Sequence, residues 1–151
     1  MKKLHFEIFI NAQREKVWNV LIGKDTYPQW TAVFGEDSNV QGSWDEGEQI
    51  LFVAPDEEGK LGGMASKIAA NRKPKFLSIK HIGLVHDGEV ITEGKEVEKW
   101  ASAYENYTLK EKEGGTLFVV DTDVNPETGM IEYFEETWPK ALKKLKEFCE
   151  E

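Results

Sequence analysis

Hydrophobic and polar positions along this chain change period three times, and each change predicts a different kind of element. Leu4, Phe6, Ile8 and Ile10 alternate with His5, Glu7 and Phe9. That two-residue period belongs to a half-buried strand and predicts one over residues 2–10. The period then lengthens: Val17, Trp18, Leu21 and Ile22 fall at helical spacing, with Asn11 as the expected cap and Gly23 as the stop. A second short helix, interrupted by Pro28, puts Tyr27, Trp30 and Phe34 on one side before Gly35.

From Ser38 to Val124 the period returns to two, and turn residues cut the stretch into lengths natural for antiparallel strands. The expected strands are Ser38 to Trp44, Glu48 to Ala54, Leu61 to Asn71, Phe76 to Val85, Ala101 to Lys110 and Thr116 to Val124, which with the first makes seven. The turns between them carry Asp45-Glu46-Gly47, Pro55 to Lys60, Lys73-Pro74, His86-Asp87-Gly88 and Glu113-Gly114-Gly115. Glu89 to Lys99 fits either an extension of the fifth strand or an irregular loop.

The last change of period is the strongest. Met130, Ile131, Phe134, Trp138, Ala141, Leu142, Leu145, Phe148 and Cys149 fall within roughly 120° of one helical face, with Tyr133 just outside it. Burying each large side chain is worth about 1.5–3 kcal/mol, so this stripe must be covered. An antiparallel sheet that curves around the helix covers it with the fewest elements. Pro139 lies on the side away from the stripe, where its lost hydrogen bond to Glu135 faces water and bends the helix toward the core. A break into two helices near Thr137 is the competing reading.

Composition narrows the function classes. At 151 residues the chain is expected to be one domain, residues 1–151. Its 28 acidic against 19 basic residues leave a net charge of -9, and Arg14 and Arg72 are its only arginines. Such a surface offers no footprint for nucleic acid and no attraction to an anionic membrane. The basic start at Lys2-Lys3 meets Glu7 and Asn11 rather than an unbroken apolar core, so no signal peptide is expected. A single cysteine, Cys149, suits a reducing compartment, and the expected location is cytoplasmic.

Strong catalytic motifs are absent: no paired Cys-x-x-Cys, no His-Glu-x-x-His, no phosphate loop and no nucleophile elbow. Strand alternation nevertheless puts Ser66 on a face with Met64 and Ile68, His81 with Leu77, Ile79 and Val85, and Glu105 with Ala103, Tyr107 and Leu109. All three polar residues are expected to face inward and to form a row on the concave floor. Three readings fit that row: a Ser-His-Glu triad for acyl transfer, a polar anchor for a ligand held among aromatic rings, or an internal network that fixes strand register. Asp121 and Asp123 share another face, read as solvated rather than metal-binding, and His5 and His86 are expected outside or in a turn. No cofactor or metal site is expected.

Four passages carry a family resemblance. They are Asn11-Ala12 with Val17-Trp18; Gly42-Ser43-Trp44 with Gly47 and Ile50 to Phe52; Leu77 to Gly83 with Asp87-Gly88; and Trp138 to Leu142 with Leu145-Lys146. In order and spacing the sequence resembles the SRPBCC superfamily, the START-like or Bet v 1-like helix-grip fold. It is most similar to the branch of the C-terminal domain of the activator of the Hsp90 ATPase. The resemblance implies an α+β helix-grip: a seven-stranded curved antiparallel sheet, ordered 1-7-6-5-4-3-2, wrapped around a long C-terminal helix, with two short helices after strand one. It also implies an apolar cavity under that helix, often without catalysis.

The function expected from these readings is non-catalytic binding of a small hydrophobic molecule. Trp30, Phe34, Trp44, Ser66, His81, Glu105, Tyr107, Tyr133 and Trp138 are its candidate contacts. The alternatives are a chaperone-associated module whose acidic surface meets a basic protein partner, and a cyclase- or hydrolase-like enzyme working in the same cavity through His81 and Glu105.

Overall fold

The computed structural model describes the whole chain, Met1–Glu151. Strand β1 runs Lys2–Ile10, followed by helices α1 (Arg14–Ile22) and α2 (Tyr27–Trp30). Then come β2 (Asn39–Gly42), β3 (Gln49–Pro55), β4 (Leu61–Arg72), β5 (Phe76–His86), β6 (Glu89–Ile91), the one-turn helix α3 (Lys95–Glu98), β7 (Tyr104–Lys112) and β8 (Gly115–Val124). A short 3-10 turn, Pro126–Thr128, leads into α4, Ile131–Cys149.

All strand pairs are antiparallel, in the order β1-β8-β7-β5-β4-β3-β2. With β6 set aside, this is the order that the resemblance implies. The eighth strand is β6, which pairs only with the end of β5, Val85 opposite Val90. The segment 89–99 is thus a short hairpin return and a helical turn anchored by buried Val97, not a simple loop. Its three strand residues are all exposed, so no alternation marked them.

Helix α4 is continuous through Pro139, which is exposed, and the break near Thr137 does not occur. Trp138, Ala141, Leu142, Leu145 and Cys149 are buried in one core with Ile10, Leu77, Ile79, Leu109, Phe118 and Val120 from the concave face. The small helices α1 and α2 close the open side, burying Val17, Trp18, Leu21 and Trp30 in the same core.

Local details depart from the sequence reading for identifiable reasons. The residue capping α1 is Gln13, not Asn11; the Asn11 backbone N–H instead donates to Glu150 Oε2 at 2.8 Å, tying the end of β1 to the end of α4. Pro28 opens α2 instead of interrupting it, as suits a residue lacking an N–H. At Gly23 a Cβ would stand 2.6 Å from the Asn19 carbonyl oxygen, so this close approach to the helix backbone requires glycine there.

Leu145 is fully buried at the centre of the helix–sheet contact, and Lys144 beside it is exposed. Leu145→Ala is expected to lower unfolding stability by about 2–5 kcal/mol. Lys144→Ala should stay within about 0.5 kcal/mol of the parent. Urea titration checks both; equal effects would mean that α4 is not held through this face.

Candidate functional site

Packing α4 into the sheet leaves the space under its N-terminal half unfilled. A cavity of about 380 Å³ lies there. Its wall comes from α2 and the segment after it (Tyr27, Trp30, Phe34) and from α4 and its N-cap (Met130, Tyr133, Phe134, Trp138); Phe52 and Met64 come from β3 and β4. The rings brace each other edge to face. Phe34 meets Trp138 at 4.9 Å between centroids and 66° between planes, and the Tyr133 hydroxyl donates to the Phe34 carbonyl at 3.1 Å. Rings locked against one another cannot collapse into the space beside them.

The floor is polar, and a strand irregularity makes it so. Ser66 stands opposite His81, while the preceding residue, Ala65, stands opposite Gly83, so Ile82 is an extra residue in β5. Beyond this bulge the faces exchange. Val85, expected beside Leu77 and Ile79, belongs instead to a separate cluster with Val53 and Ala65. His81 keeps its inward direction. Its strand is fastened to the segment just before β7 by the His81 N–H donating to the Ala103 carbonyl and the Ser102 N–H donating to the His81 carbonyl, both at 2.9 Å.

Ser66 Oγ lies 2.8 Å from His81 Nδ1, and both residues are buried. With no other hydrogen-bonded partner for this hydroxyl, donation from Ser66 to Nδ1 satisfies its proton, which puts the ring's own proton on Nε2. That nitrogen faces Glu105 Oε1 at 3.9 Å, beyond hydrogen-bond length. Glu105 in turn accepts from the Tyr107 hydroxyl. Burial dominates the electrostatics: it pushes His81 down to about 4, against a smaller opposing pull from Asp123. The Glu105 carboxyl is raised by burial, with the Tyr107 bond opposing. The Tyr27 and Tyr107 phenols are raised by the same desolvation and by the nearby Glu105 charge. His81 is therefore neutral at pH 7 and presents an N–H toward the cavity.

Seven of the nine residues singled out from the sequence line this space: Trp30, Phe34, His81, Glu105, Tyr107, Tyr133 and Trp138. Trp44 and Ser66 do not. Trp44 packs edge to face behind the wall against Tyr27 and Phe52, with centroids at 5.7 and 5.6 Å, and Ser66 is sealed behind the His81 ring. A triad nucleophile must reach a bound carbonyl, and in this arrangement Ser66 has no path to one. Tyr27, Phe52, Met64, Trp100, Thr122 and Phe134 also line the cavity. For Tyr27 a signal existed in its helical spacing with Trp30 and Phe34; Trp100 lies in the stretch with no clear period. Asp121 pairs with His5 at 2.6 Å on the exposed face. Asp123, expected on that same solvated face, is instead largely covered and borders the cavity, because it pairs with Lys3 at 2.8 Å and accepts from the Tyr104 backbone N–H at 3.0 Å. No cluster of three or more metal-ligating side chains is present, and no helix is long and apolar enough to cross a membrane.

A curved antiparallel sheet gripping a C-terminal helix, with a cavity between them, defines the helix-grip class of the SRPBCC superfamily. Within it, the chain belongs to the family described as Activator of Hsp90 ATPase homolog 1-like protein, whose sequence profile matches residues 11–150. Among solved structures, the chain is similar to the Aha1 dimer of Colwellia psychrerythraea, with TM-score 0.73, 18% identity, and 99% of this chain and 97% of that one covered. A protein from Cytophaga hutchinsonii gives 0.73 at 19% identity, covering 99% and 94%. CalU16 of Micromonospora echinospora gives 0.66 at 18%, covering 97% and 75%. At these identities the likeness is one of fold. Comparison with curated protein sequences returns no match.

The buried imidazole makes stability depend on pH. Between its ordinary value of 6.5 and about 4, the unfolded chain holds a proton that native His81 refuses, so this residue's contribution rises with pH. It is complete above about pH 6.5 and lost as the pH falls toward 4, amounting to about 3 kcal/mol. Glu105 works in the opposite sense, because its raised carboxyl holds a proton longer in the native state and its contribution falls as pH rises through that range. In His81→Gln the loss between pH 6.5 and 4 should shrink by about 3 kcal/mol. Denaturant titrations at half-unit steps read this; an unchanged slope would show that the ring is solvated.

Proposed function

We propose that this protein binds a small hydrophobic molecule, without transforming it, in the cavity between the sheet and α4. The observation that carries the reading is the combination of about 380 Å³ of space with a braced aromatic wall and only a few polar groups at the floor. Ligand pockets commonly occupy roughly 300–1,000 Å³, are mostly apolar and orient their contents with a small number of hydrogen-bonding groups. Trp30 and Trp138 lie in the wall, so occupancy changes the surroundings of two indoles directly.

A second reading takes its support from the family's description, which names an activator of the Hsp90 ATPase, and from the net charge of -9. In it the acidic surface meets a basic patch on a heat-shock protein. Such binding weakens with salt and does not require the cavity, which separates it from the first reading.

Native mass spectrometry of freshly purified protein, followed by titration with aromatic lipophiles under tryptophan fluorescence, is expected to show saturable binding. Ala54 of β3 also borders the space, so filling it with Ala54→Phe should weaken that binding at least tenfold. Protein that is empty as isolated and shows no fluorescence change with any lipophile would sink the proposal.

A further inference from the structure

The open distance at the floor of the cavity has a chemical meaning. His81 Nε2 and Glu105 Oε1 face one another at 3.9 Å, too far to bond and close enough to share one atom. An oxygen placed about 2.8 Å from each would subtend roughly 90° between them, within the range that a hydroxyl's donor and acceptor directions accommodate. The two groups are also chemically complementary for such an atom. The Ser66 hydroxyl occupies Nδ1 and leaves Nε2–H as a donor; the Tyr107 hydroxyl occupies Glu105 Oε2 and leaves Oε1 as an acceptor.

From this gap we propose that the ligand is a neutral aromatic or alicyclic alcohol or phenol. Its hydroxyl oxygen accepts from His81 Nε2–H and its proton goes to Glu105 Oε1, while its rings lie against Trp30, Phe34 and Trp138. The inference rests on reading the cavity as a ligand site and adds the ligand's chemical class. A carboxylic acid is the wrong partner, because its anion would lie beside the Glu105 carboxyl in a poorly solvated space. A ketone is also inferior, since it accepts from His81 but leaves Glu105 Oε1 without a donor. A hydroxyl can bond to both groups at once, as a solvent molecule between them could, so binding it sacrifices neither bond.

Three tricyclic probes of nearly identical shape separate these terms: fluorene, 9-fluorenone and 9-fluorenol. In equilibrium dialysis at pH 7.5 the intact protein is expected to bind 9-fluorenol about tenfold more tightly than either of the others, the worth of one hydrogen bond to a buried group. Glu105→Gln keeps an oxygen for Tyr107 and turns an N–H toward the gap, which then offers two donors. In that variant 9-fluorenone should rise to match or exceed 9-fluorenol, while fluorene is unchanged within about twofold. A merely structural role for Glu105 would weaken all three probes alike and would overturn the proposal. Equal binding of the three to the unmodified protein would also overturn it while leaving the hydrophobic cavity as a ligand site. Absence of binding by all three, fluorene included, would remove both.

Discussion

The structure depends on how one side chain is buried. Trp138 sits at the midpoint of α4, 4% exposed, and its ring meets Phe6 of β1 at 6.2 Å, Trp30 of α2 at 6.3 Å, Phe34 at 4.9 Å and Tyr107 of β7 at 6.2 Å. Four separate parts of the chain therefore converge on a single indole. The C-terminal half of the helix is gripped by aliphatic packing through Leu142 and Leu145, which closes completely. Above Trp138 the contacts change from branched aliphatics to rings meeting edge on, and rings in that arrangement leave space that aliphatic side chains would fill. The cavity follows from the composition of the stripe: the same element seals the core at one end and holds it open at the other.

What the open end contains follows from the sheet. Inward positions near the cavity are His81, Glu105, Tyr107 and Thr122, where the sealed end has Leu77, Ile79, Leu109 and Phe118. Buried polar groups must be paired, and most of these are: Ser66 with His81, Tyr107 with Glu105. Each pair leaves one bonding direction toward the cavity unused. Pairing that was complete within the protein would describe an internal network fixing strand register. His81 Nε2 and Glu105 Oε1 instead both border the cavity, 3.9 Å apart.

The fold was legible in the sequence because its signals are periodic. The alternation of β1, the Gly-containing turns between strands and the stripe of α4 each repeat often enough to outweigh local exceptions. The elements not anticipated, β6 and α3, have three and four residues, too short for any period to show. The floor was legible only in part. Ser66, His81 and Glu105 were correctly placed on the inner face, because alternation holds up to His81. The position of Val85 was not, because the extra residue Ile82 reverses the alternation and leaves no mark in composition. Nor could alternation say that Ser66 would stand behind the His81 ring and Trp44 behind Tyr27. Ser66 is on the inner face and Trp44 lies past the end of β2, and for both the depth is set by side-chain packing that alternation does not encode. Asn11 is not the cap because the helix begins later, at Arg14 after Gln13; its backbone N–H is held by Glu150, at the other end of the sequence.

Depth also separates the readings that share these residues. A serine, a histidine and a carboxylate in a row have the composition of a catalytic triad, but order along the path to the substrate decides the chemistry. A triad presents the hydroxyl first, with the imidazole behind it and the carboxylate last. Here the order from the cavity inward is reversed: His81 and Glu105 border the space and Ser66 lies beneath the ring. The serine therefore does for the imidazole what an orienting carboxylate does in a triad, fixing its tautomer and its angle. It does so without supplying charge, and burial holds the ring's pKa well below neutrality. A neutral imidazole held in one tautomer is a fixed hydrogen-bond donor, and its neighbour Glu105, with Oε2 held by the Tyr107 hydroxyl, turns Oε1 toward the same space. In the proposed ligand site, a neutral imidazole fixed in this way would orient a polar group, and the aromatic wall would contribute through apolar contact.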